Sequence, residues 1–183
     1  GKGVPAALLV STLHSALRLL LDRIELGSDL FARLNDHILA SSAANKFITL
    51  LAARLETESG ELHYLNAGHN PAILVRARGG VEQFGPGGLP LGLLPGLSCR
   101  TERAVIEPGD LRCLYSDGIT EAVGPDDIEF GFDRLAQLLA DNREMPLADL
   151  MRRIDDEVSL HAGGLAQGDD QTVLLLRRAA TSH

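Results

Sequence analysis

The sequence predicts an α+β fold from three features. Helical periodicity occupies both ends of the chain, short strands bounded by turn residues fill its middle, and one aliphatic strand closes it. The first helical pattern starts at Pro5, which the opening turn of a helix tolerates. Apolar residues then recur at Ala6, Leu9, Val10, Leu13, Leu17, Leu20, Leu21 and Ile24, in steps of three, four and one. Gly27 ends that helix. Ser28 is expected to cap a second one, with Asp29 in its first turn and Leu30, Phe31, Leu34 and Ile38 on its buried face.

The texture then changes. Residues 47–55 are apolar on both faces, as in a strand of a covered sheet. Thr57-Glu58-Ser59-Gly60 is turn chemistry, and residues 61–65 are the return strand of a hairpin. Residues 66–71 predict a further turn. Short strands follow at 72–76 and 81–84, on either side of Gly79-Gly80, and residues 85–96 form a packed loop rich in Gly, Pro and Leu. Strands at 101–106 and 111–115 flank the turn Glu107-Pro108-Gly109-Asp110. Helices return at 132–140 and after Pro146, where Leu147, Leu150, Met151, Ile154 and Val158 share a face. Residues 172–176 are the closing strand, and no repeat, linker or low-complexity stretch interrupts the pattern.

A chain of 183 residues fits one domain, spanning 1–183, and needs no disulfide or metal staple to fold. With 4% aromatic residues and no Trp, its core must be aliphatic. Seventeen basic against 25 acidic residues give a net charge of −8 without a basic block. That balance argues against nucleic acid or an anionic membrane as partner. Cys99 and Cys113 are too few for a disulfide framework and read as reduced core thiols of a cytoplasmic protein. No apolar run reaches transmembrane length, and Gly1-Lys2-Gly3 leads straight into helical periodicity rather than into a signal peptide. The absence of an initiating Met leads us to expect a piece of a longer protein.

Three segments bear chemistry. Residues 1–7 are a glycine turn feeding a helix N-terminus, which reads either as an anion-favouring lead-in or as a plain helix start. Tyr115-Ser116-Asp117-Gly118 ends an apolar strand, so that Asp117 is either held out on a rigid platform or caps the following turn. Gly118 is expected there to let the chain bend sharply, and Glu121 adds a carboxylate nearby. Gly168-Asp169-Asp170-Gln171-Thr172 sets two adjacent carboxylates before the closing strand. It is either a solvated turn or half of a site for a hard divalent cation, since Mg²⁺ and Mn²⁺ prefer carboxylate oxygen.

In this order, these segments carry a resemblance. Together with Phe47-Ile48-Thr49-Leu50, Asn66-Ala67-Gly68-His69-Asn70-Pro71, Leu91-Gly92, Pro108-Gly109-Asp110, Leu114 and Ile119-Thr120-Glu121-Ala122, they resemble the SpoIIE-like branch of the metal-dependent serine/threonine phosphatases. These bacterial relatives of the type-2C phosphatases include RsbU-type regulators of stress sigma factors. The resemblance covers nearly the whole chain. It implies a four-layer α-β-β-α sandwich of two antiparallel sheets flanked by helices, with a site for two Mn²⁺ or Mg²⁺ ions. By matching position it implies catalytic roles for Asp117 and Asp169 and metal ligation by Asp117, Asp169 and Asp170. Lys2 and His69 are the candidate substrate-binding residues: Lys2 reads either as a contact to substrate phosphate or as a solvated side chain, and His69 either as a general acid for the leaving group or as a turn-stabilising hydrogen-bond partner. It also implies hydrolysis of phosphoserine or phosphothreonine by in-line attack of an activated water, without a phospho-enzyme. The implied substrate is a phosphorylated STAS-domain anti-sigma-factor antagonist.

The family pattern begins with a metal-bridging aspartate upstream of Gly1, on a strand that this chain does not include. The expectation is therefore an active parent, controlled by an upstream sensor or receiver domain and allowed to form a homodimer, while the chain from Gly1 binds metal weakly and turns over little. The rival reading is a non-catalytic pseudophosphatase that docks or dimerises.

Overall fold

The computed structural model describes residues 4–41 and 46–179. In chain order the elements are α1 (Val4–Leu21), α2 (Ser28–Ser41), β1 (Leu50–Leu55), β2 (Glu61–Ala67), β3 (Ala72–Val75), β4 (Val81–Phe84), β5 (Thr101–Val105), β6 (Leu111–Tyr115), α3 (Asp117–Thr120), α4 (Phe132–Asp141), α5 (Leu147–Ala162) and β7 (Val173–Arg177). This is the expected α+β content, with two antiparallel sheets. Contacts group the chain into two compact units, Gly1–His69 with Gly85–Val105, and Asn70–Phe84 with Ile106–His183.

The first unit holds a three-stranded sheet ordered β1-β2-β5. The predicted hairpin is present, with Leu55 opposite Leu62 and Leu50 opposite Ala67. Leu30, Phe31, Leu34 and Ile38 of α2 are fully buried, and they form one core with Leu9 and Leu13 of α1 and with Leu65 and Ala67 of β2. Asn35 lies in the same core. Its Nδ2 donates to Leu94 O at 3.0 Å and its Oδ1 accepts the Gly92 N–H at 2.9 Å, so the 85–96 loop is fastened to α2. Gly92 has φ +80°, and a Cβ there would stand 2.6 Å from Ile38 Cγ2, so no other residue fits the loop at that point.

Three local expectations are corrected here. The carbonyl of Gly27 accepts the Phe31 N–H at 3.0 Å, so Gly27 takes the capping position and Ser28 is already helical. The strand expected from residue 47 begins only at Leu50, and Phe47 is exposed. Among the described residues β1 pairs with β2 alone, and none of its side chains is fully buried, although Leu50 and Ala52 pack against the core. Val10 and Leu21, placed on the apolar stripe of α1 by spacing, are more than half exposed.

The second unit holds a four-stranded sheet ordered β4-β3-β6-β7. Alternation along β6 sends Leu111, Cys113 and Tyr115 into a core with Leu135 and Leu139 of α4 and with Leu150, Ile154 and Val158 of α5. Arg112 points to the opposite face, where its guanidinium lies over the Phe84 ring at 4.5 Å. The strands flanking residues 107–110 do not pair with each other, since β5 joins β2 and β6 joins β3 and β7.

Asp110 fixes that turn. Its carboxylate is fully buried and accepts the Ala77 N–H at 2.8 Å, the Glu107 N–H at 2.9 Å and Arg76 Nη1 at 2.8 Å. Arg76 also forks onto Glu82 at 2.7 and 2.9 Å. Glu82 and Asp110 together push the Arg76 guanidinium pKa up, and Arg76 in turn holds Glu82 below the usual carboxylate range.

Replacing Asp110 by Ala leaves two backbone donors unpaired and takes from Arg76 one of its two carboxylate partners, for an expected loss of about 2–4 kcal/mol. Urea unfolding checks this, and a midpoint within about 0.5 kcal/mol of wild type would contradict it. Burial pushes the Cys113 thiol up to about 12 and raises Cys99 as well. Both thiols thus stay protonated, and unreactive, at pH 8. Ellman's reagent is expected to titrate neither in the native protein and both in urea.

Candidate active site

The end of β6 and the start of β7 meet at one serine. Pairing of Tyr115 with Val173 ends the regular ladder. Beyond it the Ser116 N–H donates to Thr172 O at 2.9 Å. The Ser116 hydroxyl then donates to Asp170 O at 2.9 Å and accepts the Thr172 N–H at 2.9 Å. Ser116 therefore clamps the Asp169-Asp170 segment against the residue that precedes Asp117.

Gly118 makes the same approach from the other side. A Cβ built on it would lie 2.5 Å from Asp170 O and 3.1 Å from Asp169 O. Gly118 is a helical residue of α3 without positive φ, so what it supplies is space for a crossing backbone rather than the expected bend. The short helix α3 has no counterpart among the elements expected from the sequence. Its cue is Asp117 in the first turn of a short helix, where a carboxylate suits the N-terminal end. The clamping role of Ser116 was missed as well, although a serine beside an aspartate at a strand end is a recurrent backbone-bonding position.

The structure thus brings the backbones carrying Asp117, Asp169 and Asp170 together at one end of the four-stranded sheet. All three side chains are exposed. Asp117 Oδ1 accepts the N–H of Gly118 and Asp169 Oδ1 that of Asp170, each at 2.9 Å, which orients both carboxylates. Gln167 Nε2 donates to Asp169 O at 2.8 Å and closes the loop before them. Glu121 follows α3 and is exposed, its N–H bonded to Asp117 O at 2.8 Å.

His69 belongs to the first unit, where its N–H donates to Asn66 Oδ1 at 2.8 Å and its Nδ1 stands 3.4 Å from Thr49 Oγ1. Asn66 is buried, and its carbonyl also accepts the Gly87 N–H at 2.8 Å, so the turn bearing His69 is rigid. Lys2 lies outside the described residues.

Oxygen donors on two crossing backbones match the chemistry of a hard divalent cation. Among the described residues, however, no three His, Cys, Asp or Glu side chains gather into a group that could hold a metal ion. Asp117, Asp169 and Asp170 do not by themselves form such a group. Also among the described residues, no helix is long and apolar enough to cross a membrane.

The sequence model of the family described as Stage II sporulation protein E (SpoIIE) matches residues 1–179. The chain belongs to the SpoIIE family. This is a PP2C-type family of protein serine/threonine phosphatases. The chain is 30% identical over 132 residues to Protein IcfG of Synechocystis sp., covering 72% of this chain and 21% of that protein. It is 28% identical over 182 residues to Phosphoserine phosphatase RsbU of Bacillus subtilis, covering 97% of this chain and 53% of that protein. It thus spans between a fifth and about half of these relatives' length. Among solved structures, the SiaA-PP2C domain of Pseudomonas aeruginosa superposes with a TM-score of 0.83 at 19% identity, over 97% of this chain and 71% of that one. RsbX in complex with magnesium gives a TM-score of 0.65 at 16% identity, over 96% of this chain and 75% of that one.

Replacing Ser116 by Ala removes two hydrogen bonds and is expected to cost about 1–2 kcal/mol. Gly118→Ala forces two backbones apart and is expected to lower the thermal midpoint by at least about 3 °C. Calorimetry checks both, and an unshifted midpoint in Gly118→Ala would show that the crossing is looser than described.

Proposed function

We propose that the protein hydrolyses phosphoserine or phosphothreonine on a protein substrate, with a divalent cation held by Asp117, Asp169 and Asp170. One observation carries this reading. Three carboxylates of a SpoIIE-family chain are presented on two backbones that Ser116 and Gly118 lock together. The named magnesium complex of RsbX, a structural relative, supports the kind of cation. When bound, Mn²⁺ or Mg²⁺ supplies Lewis-acid stabilisation of the phosphoryl oxygens and activation of water.

The chain's own residues do the rest. Asp117 is held by a strand end and by its bond to the Gly118 N–H, so little reorganisation is needed when a cation binds. Asp169 and Asp170 repel each other until positive charge arrives, which concentrates affinity on a cation. His69, on its rigid turn, contacts the substrate in this reading, and so does Lys2. No nucleophilic cysteine is needed, because Cys99 and Cys113 are buried with raised pKa values.

Kinship with the phosphoserine phosphatase RsbU supports a phosphoprotein substrate in a sigma-factor pathway, for which an STAS-domain antagonist is the proposed member. A four-layer arrangement of a single domain over residues 1–183 belongs to the same proposal.

Asp117→Asn in the full-length protein is expected to lower Mn²⁺-dependent turnover of a phosphoserine peptide by about two to three orders of magnitude, with the thermal midpoint nearly unchanged. Retained turnover would remove Asp117 from the metal site. A wild-type parent without turnover at saturating Mn²⁺ would favour the docking-module reading.

A further inference from the structure

Three arginines line a cavity that the proposed reaction does not use. Arg143 follows α4, while Arg177 and Arg178 end β7, and with Ala77 and Gly109 they enclose about 340 Å³. That is the lower range of small-molecule pockets. β6 and β7 pair with Leu111 opposite Arg177 at one end and Tyr115 opposite Val173 at the other. The cavity is therefore at the end of the sheet away from Asp117, four residue steps or about 13 Å along the strand.

The electrostatics of the cavity run against those of the chain. In a protein of net charge −8, its lining carries three guanidinium groups and one carboxylate, Glu144. Glu144 is 89% exposed and meets only the rim of Arg143, at 3.5 Å. Asp110, beside Gly109, is already committed to Arg76 and two backbone N–H groups.

The guanidiniums are also held in place. Arg177 Nη2 donates to the carbonyls of Arg143 and Met145. Arg178 Nη1 donates to Ile106 O at 2.7 Å, and Arg143 Nη1 to Ala140 O at 3.3 Å. Each of these arginines thus has one terminal nitrogen anchored to a carbonyl. The Nε–H groups of Arg143 and Arg177 are buried, with no hydrogen-bond partner among the described residues. Those two groups are out of a ligand's reach, and what the cavity offers is the guanidinium edges of its lining, whose planar forks of donors suit a phosphoryl group.

We propose that this cavity binds the phosphoryl group of a small molecule, at a site separate from Asp117. The ligand is either free phosphate or a phosphorylated metabolite of nucleoside-monophosphate size, which the two arms of the test distinguish. The inference does not rest on phosphatase activity.

The test uses the full-length protein in EDTA, so that no metal-held phosphate contributes. Calorimetric titration with inorganic phosphate and with adenosine monophosphate is expected to give one saturable site. Tighter binding of the nucleotide would identify the metabolite as the fitting class, and equal or weaker binding would identify phosphate. Arg143→Gln and Arg178→Gln are each expected to weaken binding at least about tenfold. Arg143→Lys, which keeps the charge but loses the fork, should fall between. Should a variant fold poorly, ¹⁵N spectra of the wild type give an independent readout. Phosphate is expected to shift the Nε–H signals of Arg143 and Arg177 and the Gly109 amide. Shifts confined to residues 116–118 and 168–172, undiminished affinity in all three variants, or no binding of either ligand at 10 mM would each overturn the proposal.

Discussion

The hydroxyl of Ser116 is where the candidate site and the fold become one problem. Carboxylates at consecutive positions repel each other, so a chain carrying Asp169 and Asp170 before its last strand tends to swing that segment into solvent. What prevents this is neutral and short. One hydroxyl donates to Asp170 O and accepts from Thr172 N, while the Ser116 N–H holds Thr172 O. Three hydrogen bonds within one residue's reach hold the segment without calling on a charged side chain of β6. A lysine or arginine there would hold the pair equally well, but it would occupy the carboxylates that the proposed cation would use. Gly118 completes the arrangement by offering no side chain where the crossing carbonyl passes.

The other end of the same sheet is built on the opposite principle. There a buried carboxylate, Asp110, gathers Arg76 and two backbone donors, and each of its contacts closes a turn. Gly109 N donates to Arg178 O at 2.8 Å and Arg178 N to Asp110 O at 3.3 Å, so β7 is secured at its far end as Ser116 secures its near end. Pinned at both ends, the strand carries exposed acid at one terminus and arginine at the other. Between them Leu175, in mid-strand, packs against the apolar core.

Much of this was legible in the sequence, and the reasons are local. Leu30, Phe31, Leu34 and Ile38 show helical spacing strong enough to name a buried face, and all four are fully buried. The 81–84 and 111–115 strands are bounded by Gly, Pro and Asp, whose backbone preferences mark ends sharply. Where reading failed, the deciding information was non-local. Whether β1 is covered depends on its sheet neighbours, which composition does not encode, and Phe47 stays exposed despite its apolar surroundings. Gly118 was assigned a bend because glycine commonly provides one. Its use is set by Asp170, 52 positions later, and appears only once both backbones are placed. Asp117, Asp169 and Asp170 could be named as candidates from residue type and family resemblance, yet their shared location depends on the β6–β7 register.

Charge then sets the terms on which such a site could work. A protein of net charge −8 repels a phosphorylated protein at long range, and three exposed aspartates would repel a phosphoryl group at short range too. On the proposed reading the cation does more than activate water, because it reverses the local sign and makes the phosphoryl group welcome. Repulsion between distant surfaces is screened within about 8–10 Å at ordinary ionic strength, whereas a cation in direct contact is hardly screened at all. Recognition would therefore depend on docking contacts that bring the phosphate within that distance. The strand-end platform at Asp117 is the kind of preset surface that makes the final approach without further loss of ordering entropy. The acidic balance that argues against a nucleic-acid partner is, on the proposed reading, compatible with a phosphatase whose metal is in place before its substrate.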